Sequence, residues 1–182
     1  VTSLLPSLGR IMKMPGEPIQ ETLASCMDKL CTALGLFFTD TETHDLLSAF
    51  VANMKSSSVV IRRTATDCAI SICEGSNSPY YYLTVLMKEL FTLVDSAAAS
   101  SETGGGGGAE GAEDVPADVL LGALLGFRKA MLSYQNVCKT VIPQKQLLDE
   151  QLTNKLFHTL IFMLDHKVHN VVTSSLEALQ QL

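Results

Sequence analysis

The sequence predicts an all-α fold: a solenoid of about four antiparallel helix pairs interrupted by one long disordered loop. Three observations lead there. Apolar residues recur with helical spacing along nearly the whole chain, and no stretch alternates with period two over a strand's length. Turn signals cut these helical stretches at short intervals. A single apolar register also starts afresh at residues 19, 61, 119 and 168.

Three stripes mark helices directly. They are Leu46, Leu47, Phe50, Val51 and Met54; Leu83, Leu86, Met87, Leu90, Phe91 and Val94; and Leu148, Leu152, Leu156, Leu160 and Met163. Between them stand "PGEP" at 15–18, "TDT" at 39–41, "SSS" at 56–58, "EGSNSP" at 74–79, "IP" at 142–143 and "DHK" at 165–167. The order is helix, short turn, helix, repeated.

The repeat appears when "IQETLASCMDKLC" from Ile19 is laid on "IRRTATDCAISIC" from Ile61. Ile19, Leu23, Met27 and Leu30 fall on Ile61, Ala65, Ala69 and Ile72, while Cys26 and Cys31 fall on Cys68 and Cys73. "VHNVVTSSLEAL" from Val168 joins the register with Val172, Leu176 and Leu179, and Ser175 takes the place of the cysteine. A weaker match runs from Val119 through Ala123, Gly126, Phe127 and Ala130. These positions trace one helical face, and the small residue beside it lets a second helix come close. A period of roughly 40–47 residues built from paired helices belongs to the HEAT and armadillo class. The expected repeats are about 1–36, 40–74, 79–135 and 144–182, all within one domain. On this register Ile61→Asp is expected to disrupt the second repeat by burying an unpaired charge.

The third repeat is stretched by "SAAASSETGGGGGAEGAED" at 96–114, a Gly, Ala, Ser and acid insertion with no apolar side chain larger than alanine. Such a segment cannot offset the entropy of ordering and is expected to be disordered. A loop of about 20 residues costs only about 1.4 kcal/mol more to close than one of about 4, so the solenoid tolerates it. Ser100, Ser101 and Thr103 are the candidate regulatory positions within it.

Composition narrows the function. The 182 residues are 47% hydrophobic and 18% charged with a net charge of −6, which argues against nucleic acid, where clustered Lys and Arg are rewarded. The absence of tryptophan removes much of the stacking surface that single-strand binders use. The longest apolar run, "VLLGALLGF" at 119–127, is far short of the roughly 20 residues that span a bilayer, so no transmembrane segment is expected. The opening at Val1 in mid-pattern is expected of a piece of a longer protein. Five cysteines do not form a disulfide framework and lack CxxC spacing; four of them, Cys26, Cys31, Cys68 and Cys73, are expected as buried small hydrophobes in a reducing compartment.

His166 and His169 form H-x-x-H, but the pair straddles a helix start and only Asp165 flanks it, so a polar turn that begins the last helix is expected. His44 and His158 stand alone in helical patterns, and Asp149–Glu150 suits a helix N-terminus. No nucleophile has an identifiable base, and the glycine run is too long and flexible to cradle phosphate. Neither an enzyme nor a cofactor is expected. Ser58 is the expected N-cap of the helix that carries Arg62 and Arg63. The paired arginines suit a ladder that reaches acids on the neighbouring repeat, with an acidic-partner or phosphopeptide site as the alternative.

At "IQETLA" (19–24), "LLSAFVANMKSSSVVIRRTATDCAISIC" (46–73) and "HNVVTSSLEALQQL" (169–182) the chain resembles the amino-terminal HEAT region of the huntingtin family. The resemblance covers roughly 1–91 and 160–182. The Gly-rich insertion and Val59, where vertebrate members carry proline, point to an invertebrate relative. The resemblance implies a very large non-enzymatic α-solenoid scaffold, cytoplasmic with a nuclear pool, that serves vesicle and organelle transport and autophagy. It also implies a smaller huntingtin-associated helical partner, other trafficking proteins, and neighbouring HEAT repeats of the same chain as contacts. Without the resemblance, a phosphatase-scaffold type of HEAT/armadillo adaptor fits the pattern as well, while a nuclear-transport type, which wants regularly spaced Trp and Asn on a concave face, is opposed by the absence of tryptophan.

Overall fold

Seven α-helices and one 3-10 turn are formed by the residues that the structure, a computed structural model, describes: 16–102, 115–141 and 150–182, with Ser7, Ile11 and Met14. The helices are α1 (Glu17–Leu34), α2 (Asp40–Asn53), α3 (Val59–Gly75), α4 (Pro79–Glu102), α5 (Ala117–Val141), α6 (Glu150–Leu164) and α7 (His169–Leu179), and the 3-10 turn is Gly35–Phe37.

Local chemistry starts several of them. Gly16 takes a positive φ of 147° ahead of Pro18 in the first turn of α1. Thr39 and Glu42 form a reciprocal capping box on α2. The Ser58 hydroxyl accepts from the Ile61 N–H at 3.4 Å and caps α3, as its sequence position predicts. Pro79 opens α4 at the one place where its missing N–H costs nothing. Capping alone does not hold a helix such as the 11-residue α7, because helices this short are marginal in water. Packing holds them.

The helices lie in two rows. In one row α3 packs between α1 and α5, and α5 packs in turn against α7; the other row consists of α2, α4 and α6. α2 pairs with α3, α4 with α5, and α6 with α7, with the apolar stripes meeting between the rows in one core. The stripe on α2 is buried at every predicted position, as is that on α4. On α6, Leu156, Leu160 and Met163 are fully buried and Leu152 is partly so, while Leu148 lies outside the described residues. Each buried Leu or Phe contributes roughly 2 kcal/mol of transfer free energy. The helices thus stack in pairs, the all-α arrangement that the recurring apolar register predicts.

α3 is crowded on several sides, which explains its small residues. A Cβ on Gly75 would stand 2.5 Å from the Cys31 carbonyl oxygen, and one on Gly35 would stand 2.3 Å from the Gly75 oxygen. Ala65, Cys68 and Ala69 are buried to 3% or less, so larger side chains there would force the neighbouring helices apart.

Several expectations are corrected. α4 continues to Glu102, into the stretch expected to be disordered from residue 96. Alanine is the best helix former, and Ala97 and Ala98 extend the packed face beyond Val94. Residues 103–114 lie outside the described residues. Ile61 is half-buried and Ile19 is 38% exposed, because the first position of the register falls in the first helical turn, at the rim. On α7 the buried face is Val171, Ser175 and Ala178, one position away from the expected Val172 and Leu179, and Leu176 is exposed. Cys26 is exposed rather than buried.

The last two corrections share a cause. On α3, positions 68 and 69 are both fully buried, since helices cover both of its flanks. On α1 only Met27 of the matching pair is buried, and on α7 only Ser175. Among the described residues each end helix has a packed neighbour on one flank only, and the residue facing the other flank is exposed.

Candidate functional site

Polar contacts between successive helix pairs are the structured chemistry of this molecule. Arg62, in the first turn of α3, is 6% exposed. Its Nη1 donates to the Ser56 carbonyl at 2.6 Å, the Ser57 carbonyl at 3.1 Å and Asp118 Oδ1 at 2.7 Å. Asp118 lies in the first turn of α5, where a negative charge suits the helix dipole. The three anionic or carbonyl oxygens compensate a cation that would otherwise oppose the dipole of α3. Arg63, one residue on, is exposed and makes no ion pair among the described residues. The adjacent arginines therefore occupy different environments. Ser100 and Ser101 lie in the last turn of α4, and Thr103 falls outside the described residues.

The contacts continue along the stack. Asp67 pairs with Lys129, and Glu74 accepts from Ser133 at 2.6 Å, both between α3 and α5. Arg128 of α5 pairs with Glu177 of α7 at 2.5 Å. In the other row Tyr82 donates to Asp40 at 2.6 Å and Lys155 reaches Asp95 at 3.0 Å. Burial, with Asp40 accepting its O–H, pushes the Tyr82 phenol up to about 12. Sequence reasoning missed these partners. Asp67 and Glu74 share a helical stripe, as do Lys129 and Ser133, but their pairing depends on how α5 lies across α3.

His166 occupies a turn, and α7 begins at His169 rather than at Asp165. The ring is buried at 5% exposure. Its Nδ1 accepts from the Val168 N–H at 3.0 Å, so Nε2 carries the proton and donates to the Val115 carbonyl at 3.0 Å. Both ring nitrogens are occupied, and the ring ties the start of α5 to the α6–α7 turn. His169 is exposed, and no group of metal-binding side chains occurs among the described residues. His44 sits edge-on to Tyr81 and Tyr82, while His158 is exposed beside Phe157. His166→Ala strands a buried carbonyl and an N–H and is expected to lower unfolding free energy by about 2 kcal/mol, read from the urea midpoint.

Cys31, Cys68 and Cys73 are buried. Burial, followed by the charge of Asp28, pushes the Cys31 thiol up to about 12; burial, followed by Asp67, does the same for Cys68. The Cys73 thiol is raised by burial and by Glu74. A thiolate is the nucleophilic form, so none of the three is poised for chemistry near neutral pH. No helix among the described residues is long and apolar enough to cross a membrane.

The polar contacts join successive helices of a stack, and the comparisons with known proteins name its family. Residues 1–78 match the family model described as "Huntingtin, N-terminal HEAT 1". The full chain aligns with huntingtin of Takifugu rubripes at 38% identity over 192 residues, covering 100% of this chain and 6% of that relative. The chain belongs to the huntingtin family, within its amino-terminal HEAT region.

Proposed function

We propose that this segment is a load-sharing unit of a longer HEAT scaffold, with further repeats against its two end helices and partner proteins on its remaining surface. The carrying observation is the one-sided exposure of the end helices. Cys26 on α1 is open, and at the other end Phe157, Ile161 and Leu176 are 48%, 42% and 49% exposed. Neighbouring repeats would cover both faces, in keeping with a chain that spans 6% of the relative it matches. The polar contacts centred on Arg62 act as the ladder that holds one pair in register with the next; Arg63 takes no part in that ladder and stays on the surface. The units of the stack are the repeats at about 1–36, 40–74, 79–135 and 144–182.

The scaffold serves vesicle and organelle transport and autophagy, in the cytoplasm with a nuclear pool, and holds a huntingtin-associated helical partner together with other trafficking proteins. The family resemblance supports this reading. Ser100, Ser101 and Thr103 are the positions at which modification would regulate it.

Two measurements test the proposal. Thiol labelling near pH 8 is expected to modify Cys26 in the 1–182 segment but not in the full-length protein, with Cys31, Cys68 and Cys73 protected in both. Equal labelling of Cys26 in both refutes a covering repeat at that end. Affinity capture with mass spectrometry, comparing the full-length protein with a version lacking 1–182, tests the partner role. Loss of the helical partner supports it, and an unchanged partner set limits the segment to a spacer.

A further inference from the structure

A groove of about 330 Å³ opens across α3, α5 and α7, three successive helices of one row. Its walls include Arg62 and Arg128, and its apolar part includes Leu121 and Leu125, one turn apart on α5. Asn170 and Ser174, also one turn apart, present an amide and a hydroxyl from α7. Leu120, Leu124 and Phe127 of α5 are fully buried in the core, so the half-buried stripe of 121, 125 and 128 faces away from it.

The groove is rich in unused donors. All three hydrogen bonds of Arg62 leave from Nη1, and Arg128 is held by Nη1 alone, so Nε and Nη2 of both have no partner among the described residues. The side chains of Asn170 and Ser174 have no hydrogen-bond partner among the described residues. Arg62 is buried and pinned by its carbonyl contacts, so its free edge is held in place before any ligand arrives. A guanidinium edge matches a carboxylate in bidentate fashion. Asp118 and Glu177 neutralise the two cations overall, so selectivity comes from directed donors rather than from a broad positive field.

We propose that this groove binds an acidic, leucine-bearing linear segment of a partner protein. Its carboxylate takes the free guanidinium edges with Asn170 and Ser174, and its aliphatic side chain lies on Leu121 and Leu125. The volume suits one or two side chains, at the small end of the roughly 300–1,000 Å³ typical of ligand pockets. An open trough across three repeats suits an extended chain better than a compact metabolite. The proposal refines the scaffold reading by giving it one docking surface and one partner chemistry.

Fluorescence anisotropy on the full-length protein tests it, with a labelled peptide alternating leucine and glutamate and a matched leucine–lysine peptide. The glutamate peptide is expected to bind and the lysine peptide not. Arg128→Gln, which removes donors at a half-exposed site, and Ser174→Glu, which places a carboxylate in the groove, are each expected to weaken binding about tenfold or more; Ser174→Glu leaves melting unchanged, and Arg128→Gln, which also loses the Glu177 pair, keeps a cooperative transition. Equal binding of the two peptides, or wild-type affinity in both variants, overturns the proposal. So does tight binding of a phosphoserine–leucine peptide without binding of the glutamate one, which would reassign the groove to phosphate. Failure here leaves Cys26 protection untouched, so the stacking reading is judged separately.

Discussion

Ile72→Asp is expected to unfold the second helix pair, while Ile61→Asp leaves it nearly intact. Ile72 is 1% exposed within the common core, at the point where α3 meets the other row. A carboxylate there is buried within the hydrophobic cluster, and the loss is expected to exceed about 4 kcal/mol, near the upper end for single substitutions. Ile61 is the third residue of α3 and only half-buried. An aspartate in the first turn favours the helix dipole by roughly 0.3–1 kcal/mol, which offsets much of the lost packing. Urea unfolding of both variants, followed by circular dichroism, checks this. Equal destabilisation would mean that the burial pattern on α3 is misassigned.

Gly122→Ala is the second large effect expected. A Cβ at Gly122 would lie 1.8 Å from the Met54 carbonyl oxygen, a backbone atom at the end of α2, and 3.4 Å from Cδ of Arg62. The methyl group gains about 1 kcal/mol of helix propensity over glycine. That gain does not survive the clash, because neither helix backbone can yield without moving the helix. α5 must shift away, and Asp118, one turn earlier on the same face, leaves Arg62 with it. A net loss of about 3 kcal/mol is expected. Gly126→Ala is the informative control: there the nearest atoms, at 2.8 and 2.9 Å, are the flexible end of Leu90, which can turn aside at smaller cost. If the two variants melt together, the close approach of α5 to the end of α2 is not what holds the α4–α5 pair in place.

Neither glycine has a signature that sets it apart in "VLLGALLGF". Helical spacing identified Gly126 as a small position in the repeat register, but no local pattern shows that Gly122 faces a carbonyl from a segment about 70 residues earlier. The same limit applies to His166. Its H-x-x-H spacing suggested a polar turn, and its actual partner, the carbonyl of Val115, is 51 positions away. Arg62 and Arg63 are adjacent and alike in sequence, yet one is buried against Asp118 and the other is in solvent, because a helix turns by 100° between them. The groove was illegible for a related reason: its lining comes from three repeats, and no one repeat contains it.

What the sequence alone determined is the class of the fold. Apolar spacing fixes which segments are helices, turn residues fix where they stop, and the recurring register makes a stack of pairs the way to bury them all. These properties are local or periodic, so they survive without knowledge of what packs against what. The tertiary structure decided everything that depends on a neighbour. Met27 and Cys26 are consecutive, as are Ser175 and Leu176, and in each case only the flank with a helix beside it is buried. Burial at a given register position belongs to the stack rather than to the residue, since the free energy comes from surface removed by the next helix.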